Sequence, residues 1–483
     1  MRLATPKVFA NCLAFVLVAL LFYYVVFSSY LLLDMSKASV GRGGSNKSAA
    51  TLSDLRFVPI VMKDAADLTP LDLYGEHGRE PVIIKGALKA HPFMREGRNT
   101  PDHFAQVCGD ALIDTVVYDS NYTGWAGHKD EILMTVRDFV DGYMVKEGRE
   151  SSPHPEELRY AHSNSYGMPQ LCPALQWEVL IPRHASIDLP TAGSRRNLGQ
   201  PTLFMGPTGS RSELHMDMYL LPFWLSVYFG QKSFRVILFE DSAAHFEGDF
   251  MRTGRHRKVV TDAATGKERV VSLEIWDPDV EIFPELANVR IYEGEVNAGD
   301  VIYVPSGALH GILNTEQSFG ATSNALFAPL TSHYTEVCVK ANFANGCKDA
   351  LDLTYRSECE SERLDPLDLG TASDFAKCAI NSKTAEEFGR DAYTANAGFH
   401  DKYLYEAHGF GSYAEWCQAT CANINESFLE HEREQMLDVK ADGKVRRETA
   451  AKREKRMLKL AERERNDKAQ FVVCNKQCSA TPT

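Results

Sequence analysis

The chain has 483 residues, 24% of them charged, with a formal net charge of −13 and a pI near 5.6. That length accommodates one large domain and a smaller appended unit. The acidic balance excludes a general nucleic-acid binder, so no nucleic-acid partner is expected.

In chain order, residues 1–7 read as a short cytosolic tail. Val8 to Leu33 is an uncharged run rich in Leu, Val, Phe and Tyr, long enough to cross a membrane as a helix. It predicts a transmembrane signal anchor over 8–33 and a single-pass type II protein of the endoplasmic reticulum or Golgi membrane, with the rest of the chain in the lumen. A signal peptide cleaved after Ala38 and a buried core helix are the alternatives. Residues 34–55 read as a flexible stalk, rich in Gly, Ser and Lys. Residues 56–200 form an N-terminal flanking region, with a short helix over Pro101–Gly109 and another approached through Ile132–Val140. His128-Lys-Asp130 has the spacing of a ligand pair but lies among Gly124, Gly127 and Lys129, and reads as loop.

The chemistry is concentrated after residue 200. His215-Met-Asp217 opens a dense apolar segment, Tyr219 to Phe229, and a second one, Phe234 to Phe239, follows Gly230-Gln231. These read as paired strands with a turn near Gly230. Later come Gly299-Asp-Val-Ile-Tyr-Val-Pro305, a turn at Pro305-Ser-Gly307, and His310. Two imidazoles and one carboxylate are the donor set of an octahedral ferrous site that keeps open positions. Lys232, inside this apolar stretch, implies an anionic partner, because a buried unpaired ammonium is costly. An internal salt bridge is the alternative. Between these segments, Arg257 to Val271 reads as a basic hairpin turning near Thr265-Gly266, either a solvated face or a substrate-contacting loop.

Residues 331–425 read as a cysteine-rich helical subdomain and 426–483 as a charged helix and tail, with Glu464/Lys468 at i,i+4 spacing. Of eleven cysteines, all but Cys12 lie beyond the apolar segment. Their even number suits disulfides of open connectivity, with zinc at Cys417-x-x-x-Cys421 and Cys474-x-x-x-Cys478 as the alternative. Asn46, Asn121 and Asn425 begin glycosylation sequons.

Taken together, His215-x-Asp217, Gly230-x-Lys232-x-Phe234, Gly-Asp-Val-Ile-Tyr-Val-Pro and His310 resemble the JmjC (cupin-like) family of iron(II)/2-oxoglutarate oxygenases. A weaker echo lies at Glu80 to Gly86. The spacing is most similar to the branch that hydroxylates protein lysyl side chains. The resemblance implies an α+β fold with a double-stranded β-helix (jelly-roll) core over 201–330 and flanking helices. It also implies iron ligands at His215, Asp217 and His310, and Lys232 on the distal carboxylate of 2-oxoglutarate. Thr322, Asn324 and Ser212 become further co-substrate residues, and ascorbate keeps the iron reduced. Two departures stand out. Ser212 replaces the usual threonine, and Leu225 follows Trp224 where the branch often has asparagine. The implied activity is hydroxylation of a protein or peptide side chain in the secretory lumen. A catalytically inactive binding or scaffold protein on the same fold is the alternative.

Overall fold

The computed structural model describes residues 51–175 and 202–343 with gaps, Cys347, six positions between 415 and 424, and residues 450–479. The described strands begin with β1 (Arg56–Pro59), β2 (Val61–Asp64), β3 (Val82–Lys85), β4 (Leu112–Tyr118), β5 (His128–Thr135) and β6 (Arg159–His162). They continue with β7 (Thr202–Gly206), β8 (Arg211–His215), β9 (Phe223–Phe229), β10 (Gln231–Ile237), β11 (Arg257–Thr261) and β12 (Glu268–Ser272). The last are β13 (Arg290–Asn297), β14 (Val301–Val304), β15 (Leu309–Asn314) and β16 (Ser318–Asn324). They form a five-stranded sheet, β1-β13-β10-β15-β8, and a nine-stranded sheet, β2-β3-β14-β9-β16-β7-β6-β4-β5, with β11-β12 as a separate hairpin. The result is a mixed α+β fold dominated by β-sheet.

Alternation along the central strands defines the space between the sheets. Phe223, Leu225 and Val227 of β9 share one apolar cluster with Phe234 and Val236 of β10 and Ile312 of β15. Trp224 and Tyr228 point the opposite way, into a second cluster with Phe93 and Phe104. Because β9 is covered on both faces, its sequence reads as a continuous apolar run rather than an alternating one.

The two apolar segments flanking Gly230 do not pair with each other, contrary to expectation. β9 lies between β14 and β16, whereas β10 lies between β13 and β15. One intervening residue is shorter than the usual two-residue hairpin loop, and the chain instead crosses from one sheet to the other. Gly230 makes the crossing with φ 67°, and a Cβ there would lie 1.9 Å from the Gln317 carbonyl oxygen. His128 also departs from its loop reading. It starts β5, is buried, and stacks on His162 at 6.1 Å between ring centroids. The hairpin over Arg257–Val271 is present as β11-β12, with Gly266 in its turn at φ 66°. Its Lys258 is engaged with Glu285 at 2.6 Å.

The N-terminal anchor is corrected. Among the described residues no helix is long and apolar enough to cross a membrane. The longest, Ala450–Ser479, carries Lys, Arg and Glu along its length. Residues 8–33 lie outside the described residues. The fold is therefore stated without a membrane-spanning element. The transmembrane and signal-anchor assignments, the membrane as a partner and the type II placement in the endoplasmic reticulum or Golgi are withdrawn with it. Asn46, Asn121 and Asn425 lie outside the described residues as well.

Ala450–Ser479 is less solvated than its charge predicts. The Glu464–Lys468 pair forms at 2.7 Å, but Asp467, Gln470 and Cys474 are buried. The Gln470 side chain accepts from the Leu112 amide (2.8 Å) and donates to the Gln170 carbonyl (2.7 Å). Disulfides Cys417–Cys478 and Cys421–Cys474 fasten this helix to the segment around residues 417–424. Cys108–Cys172 joins the helix Pro101–Cys108 to the neighbouring Met168–Leu175 stretch, and Cys338–Cys347 closes the end of the helix Thr331–Lys340. Sulfurs of Cys417, Cys421 and Cys478 lie within 4.8 Å of one another. Each is covalently paired, so no thiolate remains for the zinc alternative. Cys12, Cys359 and Cys378 lie outside the described residues.

Gly230→Ala combines a left-handed backbone with a collision against a neighbouring main chain. Gly266→Ala meets only the backbone cost, since nothing lies within 4 Å of its Cβ position. We expect Gly230→Ala to cost about 1–3 kcal/mol or more, and clearly more than Gly266→Ala. Thermal unfolding of the two variants side by side checks this; equal losses would mean that the crossing yields.

Candidate metal centre

The register of the five-stranded sheet builds the site. His310 on β15 lies opposite His215 on β8 and opposite Val236 on β10. Side chains in such a cross-strand row share a face, here the one turned between the sheets. Asp217 follows directly after β8. The imidazole rings are 4.3 Å apart between centroids, and Asp217 Oδ1 is 3.7 Å from His215 Nε2 and 3.8 Å from His310 Nε2. One donor atom from each residue falls within a single 4.8 Å cluster. The structure thus brings together the three residues expected as ligands.

Each imidazole is oriented by its other nitrogen. His215 Nδ1 donates to the Glu213 carbonyl (2.7 Å), and His310 Nδ1 donates to the Ala308 carbonyl (3.3 Å). A carbonyl can only accept, so Nδ1 carries the proton and the Nε2 lone pair is left for a metal. Burial pushes both rings toward the neutral form. His310 falls to about 4, through desolvation first and the neighbouring His215 second. His215 is lowered by desolvation, partly opposed by Asp217. Two neutral imidazoles and a carboxylate suit a divalent ion with free positions, so the residues fit a ferrous centre.

Lys232 sits in the same sheet face, four residues from the Val236 row, roughly 13 Å along the strand. It is fully buried, and Nζ donates to Asn314 Oδ1 (2.8 Å). Desolvation, its sole cause of shift, lowers the ammonium to about 7. The salt-bridge alternative therefore fails among the described residues. Asn314 Oδ1 also accepts from Ser318 Oγ (2.7 Å), and Asn314 Nδ2 donates to Ser210 Oγ (2.7 Å). The Tyr160 ring lies 5.5 Å from Nζ. A Cβ at Gly320 would lie 2.7 Å from the Ser226 carbonyl oxygen and 3.5 Å from Lys232 Cε, so this close approach is fitted to glycine.

The remaining expected residues divide. β16 presents Gly320, Thr322 and Asn324 on one face by strand alternation, leading from Lys232 toward Asp217. Asn324 Nδ2 donates to Asp217 Oδ2 at 2.7 Å, so it holds the metal carboxylate. Thr322 Oγ1 donates to the Thr202 carbonyl at 3.5 Å. Ser212 Oγ is buried without a hydrogen-bond partner among the described residues. Leu225 lies opposite Thr322 and is fully buried, an apolar wall between the two polar ends. Sequence reasoning missed Asn314, Ser210 and Tyr160. Asn314 was findable, because it follows His310 by four residues on one strand and must share its face. Tyr160 carried no local signal.

Residues 76–347, more than half of the chain, match a family described as a cupin-like domain. JmjC domain-containing protein F of Dictyostelium discoideum is 21% identical over 193 residues, 39% of this chain and 40% of its own length. Lysine-specific demethylase 8 of Danio rerio is 23% identical over 246 residues, 50% of this chain and 52% of its own. The chain spans about half the length, or less, of these relatives.

Asp217→Ala removes the anionic donor and leaves two imidazoles. The expected result is loss of divalent-metal retention with an unchanged circular dichroism spectrum. Asn324→Ala removes the donor that orients that carboxylate and is expected to weaken the metal about 10-fold or more. Equilibrium metal titration distinguishes the two, and wild-type affinity in Asp217→Ala would refute the assignment.

Proposed function

The chain belongs to the cupin-like domain family, and its triad is that of an iron(II)/2-oxoglutarate-oxygenase-like domain; from that premise we propose that it hydroxylates a protein or peptide side chain. The observation that carries the reading is Lys232, a buried cation without a counter-charge among the described residues, on the strand that pairs with the one bearing His310. A ligand with one end on a metal and a carboxylate at the other end answers both features at once, and 2-oxoglutarate has that form.

His215, Asp217 and His310 would hold the ferrous ion, which supplies dioxygen activation coupled to decarboxylation of 2-oxoglutarate to succinate and carbon dioxide. The chain's own residues then have separate tasks. Lys232 pairs with the distal carboxylate, and Asn314 and Ser318 keep its ammonium aimed. Leu225 and Phe223 keep water from the space between. Asn324 holds Asp217 so that Oδ1 faces both imidazoles. Ser212 and Thr322 stand as hydroxyl groups available to the co-substrate. The buried lysine, without a counter-charge among the described residues and beside an intact triad, favours turnover over a scaffold role.

For the substrate we propose a lysyl side chain, a reading supported by the resemblance of the motifs to the lysyl-hydroxylase branch and by the name of one relative, lysine-specific demethylase 8. Succinate release with iron, ascorbate and 2-oxoglutarate, stimulated by a lysine-containing peptide, tests the reading. Mass spectrometry separates hydroxylation, a gain of one oxygen, from loss of a methyl group. No succinate under these conditions would favour the scaffold alternative.

The lysine also fixes a pH dependence. Lys232 must be protonated to pair with a carboxylate, and with no ligand bound it titrates near 7. Pairing raises that value, so binding takes up a proton. Co-substrate affinity is therefore expected to be level below pH 7 and to fall about tenfold per unit above it. Lys232→Ala should lose the slope, and about 3–5 kcal/mol of binding, at least about a hundredfold, while retaining the metal. Lys232→Arg should not restore affinity fully, because a planar guanidinium does not fit an ammonium's place. Calorimetric titration of 2-oxoglutarate into metal-loaded protein across pH 6–9 reads all three; equal affinity in Lys232→Ala would make the lysine structural.

A further inference from the structure

Just beyond Asp217 the backbone turns left-handed twice in succession, at Tyr219 (φ 58°) and Leu220 (φ 58°). Neither residue type tolerates this region easily, and such conformations persist only where surroundings enforce them. The turn closes on the metal ligand itself, because the Leu220 amide donates to the Asp217 carbonyl (3.2 Å). Two outside groups hold it. The Gly307 amide donates to the Leu220 carbonyl (3.0 Å), and the Tyr334 hydroxyl donates to the Tyr219 carbonyl (2.8 Å).

Tyr334 is fully buried on the helix Thr331–Lys340. The end of that helix is tied back by Cys338–Cys347, and the Cys347 sulfur itself lies 3.9 Å from the Tyr219 carbonyl. We infer that Tyr334 is a positioning residue for the metal centre, acting through the Tyr219 carbonyl to keep the strained turn, and with it Asp217, in place. It touches neither ligand nor metal. Asp217 is thus held from two directions, by Asn324 on its Oδ2 and by this helix through its backbone. The inference rests on the reading of the triad as a metal site.

The test is Co2+ titration of the full chain, followed by visible absorption, for Tyr334→Phe, Tyr303→Phe and Asp217→Ala. Tyr303 is the matched control, a buried tyrosine on β14 whose hydroxyl likewise donates to a backbone carbonyl, that of Gly78, at 2.9 Å. A general packing loss would affect both tyrosine variants alike. We expect Tyr334→Phe to weaken cobalt about 10-fold and Tyr303→Phe to leave it unchanged. Equal affinities in the two tyrosine variants, whether both weakened or both intact, with binding lost in Asp217→Ala, would overturn the positioning role alone. Cobalt bound as in wild type by Asp217→Ala would overturn the metal reading beneath it.

Discussion

Burying the Lys232 ammonium costs several kcal/mol unless something offsets it, and no described carboxylate does. Asn314, Ser318 and the Tyr160 ring supply dipoles and a π-face, which orient the ammonium without neutralising it. Its lowered pKa is the thermodynamic trace of that choice. A protein carboxylate in the same place would stabilise the fold and close the site to an external anion. Under the proposed reading, that cost is recovered when an anionic ligand enters, so that buried charge becomes binding specificity.

Everything around the lysine depends on sheet register. Lys232 pairs with Asn314, and Val236 with His310, on the same two strands. A slip of one residue would turn Lys232, His310 and Asn314 to the opposite face together. The register is secured where the chain crosses sheets at Gly230 and where Gly320 lets β16 approach. Two glycines thereby help to fix the separation between the His310 row and Lys232. Leu225 then decides the character of the wall between them, apolar where an amide would have offered a donor.

The metal end carries a different kind of constraint. Its imidazoles are aimed by backbone carbonyls within their own strand or the adjoining turn, a local device. Its carboxylate follows the end of β8 and depends on contacts from distant segments. Those contacts come from β16 and from a helix outside the sheets, so the region after residue 330 is part of the site's support. The disulfides tie helices to neighbouring segments, and their pairing shows why the paired Cys-x-x-x-Cys motifs are staples rather than ligands.

By itself the sequence determined the donor set and the burial of Lys232, because His215-x-Asp217, Lys232 and His310 sit in segments whose residue types allow little besides buried strand. It determined the β11-β12 hairpin and the helix at Pro101 from local turn and cap chemistry. It did not determine which strands adjoin. The apolar runs on either side of Gly230 look like a hairpin, and only the packing of β14 and β16 around β9 separates them. Nor could it show that Asn324 bonds Asp217, that His128 is buried, or that Tyr334 reaches the turn after Asp217. These are contacts between residues up to more than a hundred positions apart, and periodicity within a segment has no access to them. The apolar Val8–Leu33 run shows the converse limit: composition gave a span, and the described structure offers no membrane-crossing helix to support it. What tertiary structure alone decided was the company each residue keeps, since burial and register are properties of the assembled sheets.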